Sequence, residues 1–114
     1  MFTVPGYVGC FYEIYEPNRH LLPDHPIING QPSFIDGSDM SIKKCIEICR
    51  QLEGNMRYAG LEGERECYCG TEDHSNSFIL ASRPDVSCSS TCAGNPLDVC
   101  GGEFLISIYD SMYY

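Results

Sequence analysis

The sequence has 114 residues, 43% of them hydrophobic, which suits one compact domain and excludes both a wholly disordered chain and two domains of ordinary size. Its 16 acidic and 7 basic residues give a net charge of −9, so nucleic acid and anionic membrane surfaces are excluded as partners. Eight cysteines, spread over nearly the whole chain, predict four disulfide bonds and therefore an extracellular, oxidising location.

A zinc site is the alternative role for these cysteines. No Cys-x-x-Cys pair occurs, and His20, His25 and His74 lack ligand-like spacing to one another or to the cysteines, so disulfides are favoured. The first ten residues, MFTVPGYVGC, have neither the basic start nor the apolar run of a signal peptide or membrane span. We expect no cofactor, no insertion into a membrane, and a monomer.

The first half of the chain predicts one strand, one loop and one helix. Residues 7–15 alternate in part and carry β-forming side chains, which predicts a strand. Residues 16–37 are rich in Pro and Gly and predict a long irregular loop. Ser41 is a good N-cap for a helix over 42–53, where Ile, Leu and Cys recur at spacings of three and four, and Gly54 would end it.

The second half predicts short strands. Residues 57–61 and 66–68 predict two strands joined by a turn at Gly63, residues 71–87 a loop, and residues 104–109 a final buried strand. The predicted fold class is therefore α+β, a small disulfide-rich domain with one helix packed on a short, mostly antiparallel sheet.

Two pairs of cysteines have spacings that match each other. Cys45 and Cys49 lie one helical turn apart on one face, and Cys67 and Cys69 lie on one side of a strand, about 6.5 Å apart. Neither pair can bridge internally, because its side chains point in parallel. The pairs therefore predict a two-rung ladder between helix and strand, whose pairing is direct or crossed according to the direction of the strand.

The remaining four cysteines predict two more bridges. Cys92 and Cys100 enclose the turn-rich segment AGNPLDV, which one bridge would close, and this leaves Cys10 and Cys88 for each other. Each bridge should stabilise the domain by about 2–4 kcal/mol, mainly by restricting the unfolded chain.

Four blocks of sequence resemble the WSC domain, in order and over about Tyr7–Tyr109: YVGCFYE, DMSIKKCIEIC, YAGLEGERECYCG and CSSTCAGNPLDVCGGEFLISIY. The resemblance implies a PAN/apple-like domain over residues 7–110, with tails at 1–6 and 111–114. It also implies a direct ladder and the full pairing Cys10–Cys88, Cys45–Cys67, Cys49–Cys69 and Cys92–Cys100. It further implies binding of a polysaccharide such as β-1,3-glucan or another cell-wall or matrix glycan.

Sugar recognition needs aromatic faces flanked by polar groups. The candidate ligand-binding residues that lie in or beside the matching blocks are Tyr12, Tyr58, Arg65, Glu66, Tyr68 and Asn95. Glu66 and Tyr68 should point away from the helix and could share one exposed surface. The alternative is that the tyrosines are half-buried. After CGG the family usually carries a polar pair, whereas Glu103 and Phe104 follow here, which would weaken or re-specify sugar binding.

Catalysis is not expected. Glu13, Glu16 and Asp24 are loop acids without the paired spacing of a glycosidase, and neither G-x-S-x-G nor H-E-x-x-H occurs in the sequence. The pairing of all eight cysteines leaves no thiol nucleophile. Gly101-Gly102 predicts a tight turn before the last strand and not a phosphate-binding loop. The alternative to a lectin-like module is a protein-interaction module of a receptor or matrix protein. Such a module would show a larger, flatter apolar patch with an Arg or aromatic anchor.

Overall fold

The computed structural model describes residues 4–12, 27–28, 31–32, 38–52, 56–72, 75 and 78–114. Within them the elements, in chain order, are β1 (Tyr7–Tyr12), β2 (Ile27–Ile28), β3 (Gln31–Pro32), α1 (Ile42–Arg50), β4 (Tyr58–Glu62), β5 (Glu66–Gly70), α2 (Phe78–Ala81), β6 (Ser82–Arg83), β7 (Thr91–Cys92), β8 (Asn95–Val99) and β9 (Leu105–Asp110). A 3-10 helix, Asp85–Ser87, lies between β6 and β7.

Five of the strands form one antiparallel sheet in the order β5-β4-β9-β1-β6. The last strand in the chain, β9, is therefore the middle strand of the sheet. β2 and β3 form a separate antiparallel pair, and β7 and β8 form another. The α+β class with one main helix on an antiparallel sheet is confirmed.

The main helix, α1, starts at the predicted cap. The Ser41 hydroxyl accepts a hydrogen bond from the Lys44 backbone N–H (3.1 Å), which satisfies a donor that the first turn leaves open. The helix is confirmed from Ile42 to Arg50, three residues shorter than predicted. Its end tightens, since the Gln51 N–H donates to Ile48 O at 3.1 Å. Glu53 and Gly54, where the predicted helix was to end, lie outside the described residues.

The hairpin of β7 and β8 holds the start of α1 from the side. The Asp98 carboxylate accepts a hydrogen bond from the Ile42 N–H (3.1 Å), and the Gly94 N–H donates to Met40 O (2.7 Å). A Cβ on Gly94 would lie 2.1 Å from Asp39 O, so only glycine permits this approach. The sequence did not predict this hairpin, because Pro96 and the small residues of AGNPLDV favour a loop.

All four predicted disulfides are confirmed. The bonded pairs are Cys10–Cys88, Cys45–Cys67, Cys49–Cys69 and Cys92–Cys100. The sulfur atoms of Cys45, Cys49 and Cys67 lie within 4.8 Å of one another, as ligands of a metal would. These three atoms belong to neighbouring rungs of the ladder, and a sulfur bonded in a disulfide is not a thiolate ligand. The cluster is therefore structural.

The sheet has two buried faces, because side chains alternate along each strand. One face of the sheet packs against α1, and we call the buried cluster formed there the disulfide face. It contains residues of both the sheet and the helix: Met40, Ile42, Cys45, Ile46, Cys49, Ala59, Leu61, Cys67, Cys69, Cys92, Cys100 and Tyr109. The opposite face, here the aromatic face, consists of Phe11, Tyr58, Tyr68, Phe78, Ala81, Ile106 and Ile108.

Other predicted elements differ from the structure in extent or kind. β1 is confirmed to Tyr12, and residues 13–15 of the predicted strand lie outside the described residues. Within the predicted loop 16–37, the described residues form β2 and β3. The predicted loop 71–87 is wrong for residues 78–87, which form α2, β6 and the 3-10 helix. Phe78 and Ala81 of α2 are buried on the aromatic face, and this packing favours a helix that four residues could not form alone.

Candidate functional site

Strand register brings four strand ends together at one end of the sheet. β4 ends at Glu62, which pairs with Glu66 at the start of β5 and with Ile106 near the start of β9. β1 ends at Tyr12, which pairs with Leu105, the first residue of β9. We call this region the Tyr12 end. Since adjacent strands are about 4.8 Å apart, it spans roughly 14 Å from β5 to β1.

Tyr12 is the exposed aromatic residue of the predicted set. Its side chain is 45% exposed at the end of β1. The guanidinium carbon of Arg83, on the neighbouring strand β6, lies 5.3 Å from the centroid of the Tyr12 ring. Arg83 also donates to the Ser82 carbonyl oxygen at 2.8 Å. A cation over an aromatic ring at an exposed site contributes about 0.5–1 kcal/mol, so Arg83 restrains the orientation of Tyr12.

Tyr58 and Tyr68 are not exposed, which corrects the sequence-based expectation. Their side chains are only 7% and 8% exposed, because α2 covers this part of the aromatic face. The Tyr58 and Phe78 rings meet edge to face, with centroids 5.1 Å apart, and Phe78 also lies 5.1 Å from Phe11. Glu66 and Tyr68 do point away from α1 as predicted. At Tyr68, however, this side of the sheet is covered by other residues of the aromatic face.

The predicted polar residues lie on two loops that are hydrogen-bonded to each other. Arg65, exposed, follows the β4–β5 turn, where Glu64 has a left-handed backbone (φ 74°). The Ala93 N–H donates to Glu64 O at 3.0 Å, which joins this turn to the β7–β8 hairpin. Asn95, half-buried in that hairpin, accepts from the Leu97 N–H at 3.0 Å through its side-chain oxygen. Asn95 therefore shapes its own turn.

Phe104 has the most unusual backbone of the Tyr12 end. Gly102 and Leu105 exchange two backbone hydrogen bonds, of 3.0 and 3.2 Å, so Glu103 and Phe104 form the tip of a tight turn. The sequence predicted the turn at Gly101-Gly102 and the final strand from residue 104, whereas the tip lies at Glu103 and Phe104 and β9 begins at Leu105. Phe104 has a φ of 59°, in a turn position that normally takes Gly or Asn, and its side chain is 49% exposed. A bulky residue in that region is an outlier that costs about 1 kcal/mol or more.

The glycine before this turn has a steric role. Gly101 has a φ of 69°, and a Cβ there would lie 2.4 Å from the carbonyl oxygens of both Leu61 and Leu105. The Gly101 N–H donates to the Ser107 hydroxyl oxygen at 3.1 Å. Gly101 thus lets the chain pass close to β4 and β9 and places the tip of the turn beside Tyr12.

The Tyr12 end therefore differs from the predicted site. Of the predicted residues, Tyr12 and Glu66 lie at this end but on opposite faces of the sheet, since Glu66 aligns with Ile106 and Tyr12 with Leu105. Arg65 lies in the adjoining turn, and Asn95 lies in the hairpin bonded to that turn. Tyr58 and Tyr68 are buried, and the structure adds Phe104 and Arg83. Arg83 was missed because it lies in a segment predicted as loop. Phe104 was predicted as the start of the final strand and noted as a departure from the family, although the Gly-Gly pair two residues before it could have indicated an exposed tip.

The WSC domain family model matches residues 7–102 of the chain. Xylosyltransferase oxt of Drosophila melanogaster is 36% identical over 91% of the chain. Kremen protein 2 of Homo sapiens is 31% identical over 94% of it, and Kremen protein 1 of Xenopus laevis is 31% identical over 96%. The chain spans only 10%, 20% and 21% of the lengths of these three relatives.

Among the described residues, no helix has the length and apolar character needed to span a bilayer.

Proposed function

The chain belongs to the WSC domain family, and we propose that it is an extracellular, non-catalytic module that binds a polysaccharide at the Tyr12 end. Four disulfides support an oxidising location. The proposed ligand class is a cell-wall or matrix glycan such as β-1,3-glucan. The xylosyltransferase relative is matched over only 10% of its length, so its name assigns no activity to this segment.

The strained backbone of Phe104 is the observation that carries the proposal. Glycine adopts this backbone conformation without steric strain, yet the chain holds a half-exposed phenyl ring there. Strain of this kind persists at sites of function, where it holds a side chain in a fixed position. The ring lies one residue from Leu105, the partner of Tyr12 across the sheet. One exposed aromatic ring at the end of β1 and another at the turn before β9 suit the apolar faces of sugar rings.

Polar groups beside these rings would select among sugars by their hydroxyl positions. Arg83 carries five N–H donors, and its contact with Tyr12 places them at the edge of the aromatic surface. Arg65 and Glu66 offer further donors and acceptors at the other side of the same end. Tyr58 and Tyr68 have no part in the proposed contact, because their rings are buried.

Retention on an insoluble β-1,3-glucan tests the proposal. Phe104→Gly should reduce retention roughly fivefold, because one aromatic contact contributes about 1 kcal/mol. The same change should leave the thermal stability unaltered or raise it, since glycine relieves the left-handed strain at Phe104. Tyr12→Ala should reduce retention by a similar factor.

The matched control is Leu97→Ala. Leu97 is 91% exposed on the β7–β8 hairpin, so its removal should change neither retention nor stability. Retention that survives the combined change of Phe104 and Tyr12 would exclude this surface as the glycan site. A loss of melting temperature in Phe104→Gly would mean that the ring serves packing.

A further inference from the structure

The last four residues form an ordered turn, here the C-terminal turn (residues 111–114). The Ser111 N–H and hydroxyl both donate to Arg57 O, at 2.9 and 2.8 Å. The Arg50 guanidinium of α1 donates to Ser111 O at 2.8 Å, and the Tyr113 N–H donates to Asp110 O at 3.1 Å. The turn is therefore joined both to the sheet and to α1, although the sequence predicted a tail here.

Asp110 fixes the base of this turn. Its N–H donates to Gly6 O at 2.7 Å, and one carboxylate oxygen accepts from the Met112 N–H at 3.0 Å. The other carboxylate oxygen accepts two hydrogen bonds from the Arg57 guanidinium, at 3.0 and 2.8 Å. Gly6 has a φ of 85°, and a Cβ there would lie 2.6 Å from Asp110 O and 3.3 Å from the Tyr114 N. The backbone of the turn is thus held from several sides.

Three consecutive large side chains project from this fixed backbone. Met112 is 65% exposed, Tyr113 64% and Tyr114 44%. Single exposed apolar residues are ordinary, but a contiguous group marks an interaction surface. Tyr, Met and Arg are the residue types enriched at protein interfaces, and Arg50 lies at the edge of this group. Because the backbone is already ordered, binding here would cost little conformational entropy.

The charge around Tyr114 indicates the kind of partner. Partial burial raises the pKa of Tyr114, and the carboxylates of Asp98 and Glu47 raise it further. Glu47 lies one helical turn before Arg50 on α1, and Arg50 contacts the turn through Ser111 O. The domain as a whole carries a net charge of −9. An aromatic face beside negative charge favours a cation, and arginine or lysine side chains are the cations that a protein surface offers.

We propose that the C-terminal turn is a second binding surface, which docks a protein partner through arginine or lysine side chains placed over Tyr113 and Tyr114. This second surface is separate from the proposed glycan site at the Tyr12 end. The six residues of β9, from Leu105 to Asp110, separate the two ends of the sheet by roughly 17 Å at the usual rise per residue. The domain could therefore hold a glycan and a protein at the same time.

Titration of the isotope-labelled domain with a short peptide of alternating Gly and Arg, followed by amide NMR shifts, tests this surface. The shifts should concentrate on residues 110–114 and Glu47. A combined Tyr113→Ser and Tyr114→Ser change should weaken binding about tenfold, since each cation–aromatic contact at an exposed site is worth roughly two- to fivefold. The matched peptide of Gly and Glu should cause no shifts at the turn.

A pair of charge variants sharpens the test. Glu47→Gln should weaken the peptide about twofold, and Glu103→Gln, which removes the same charge at the Tyr12 end, should not change its affinity at the turn. Tyr12→Ser should lose glycan retention and keep peptide binding, so failure of the glycan site and failure of this surface are separable. Melting temperatures of all variants check that the fold is kept.

Three results would overturn the inference. Undiminished peptide affinity without Tyr113 and Tyr114 would exclude the rings as the contact. Peptide shifts spread over the acidic surface with no preference for the turn would indicate unspecific attraction. Protection of the C-terminal turn by β-1,3-glucan in place of the peptide would make this surface part of a glycan site.

Discussion

The two faces of the sheet are stabilised in different ways. The disulfide face carries both rungs of the ladder, Cys45–Cys67 and Cys49–Cys69, which bond α1 to β5. The aromatic face contains no cysteine in its buried cluster as described, and is held by rings that pack edge to face or tilted. Covalent bonds act mainly on the unfolded chain, whereas ring packing depends on complementary shapes in the folded state.

This difference explains why two of the candidate tyrosines, Tyr58 and Tyr68, are buried where exposed side chains were expected. Cysteine spacings constrain geometry strongly, so they fixed the partner and the orientation of α1 and left only the direction of the ladder open. Tyrosine spacings constrain little, because the same ring can stack on a sugar or on a phenylalanine. Tyr68 faces away from α1 as predicted, but it contributes to a second hydrophobic core.

Reduction of the disulfides should have the largest effect. Four bridges at about 2–4 kcal/mol each match the whole stability of a small domain, so excess reductant should unfold it. The double change Cys49→Ala and Cys69→Ala, which removes one rung, should cost about 3 kcal/mol. Thermal melts with and without reductant measure both effects. A reduced domain that keeps its melting transition would show that the aromatic face suffices.

Phe78→Ala tests the aromatic face with a smaller effect. Phe78 is 6% exposed and contacts both Phe11 and Tyr58, so its truncation should cost about 2–4 kcal/mol in the free energy of unfolding. The neighbouring Ile79 is 86% exposed, and Ile79→Ala should be nearly neutral. Urea denaturation of the two variants measures the difference. Equal losses in the free energy of unfolding for the two variants would contradict a helix α2 that packs on the sheet with the Phe78 side only.

High pH should lower the free energy of unfolding through the disulfide face, and this effect should be the smallest of the three. Burial raises the pKa of Tyr7 and of Tyr109 above the ordinary value of 10.0, and a hydrogen bond to Asp85 adds to the effect at Tyr7. A raised pKa means that folding favours the neutral phenol. This contribution is complete below pH 10 and is lost as the pH rises above it towards the folded-state values.

Melting temperatures measured on fresh samples from about pH 8 to 11 check this expectation, because tyrosine in the unfolded chain begins to ionise in this range. Tyr7→Phe should lower the stability slightly at neutral pH and reduce its fall at high pH. Tyr113→Phe, at a residue 64% exposed, is the control. A pH dependence that is the same in Tyr7→Phe and in the unaltered domain would exclude Tyr7 as a contributor.

Sequence reasoning recovered the elements whose residues interact locally or through cysteines. α1 has its cap, its spacing and its cysteines within one short segment, and the strands β4, β5 and β9 have β-forming side chains. It missed α2 and β8, because both depend on distant partners: Phe78 on Phe11 and Tyr58, and Asp98 on the start of α1. Among the aromatic candidates it named Tyr12, which is exposed, but it did not name the neighbouring Arg83, since a two-residue strand carries no pattern.

The position of β9 has a consequence for biosynthesis. Of the strands that the structure describes, β9 is translated last, and among them β4 and β1 pair only through it. Until it emerges, the nascent domain consists of two separate halves: α1 with the β4–β5 hairpin, and β1 with β6. The rungs Cys45–Cys67 and Cys49–Cys69 lie wholly within the first half, so oxidation can secure that half while translation continues. A fragment cut after Gly102, where the family match stops, would lack the strand through which β4 and β1 pair.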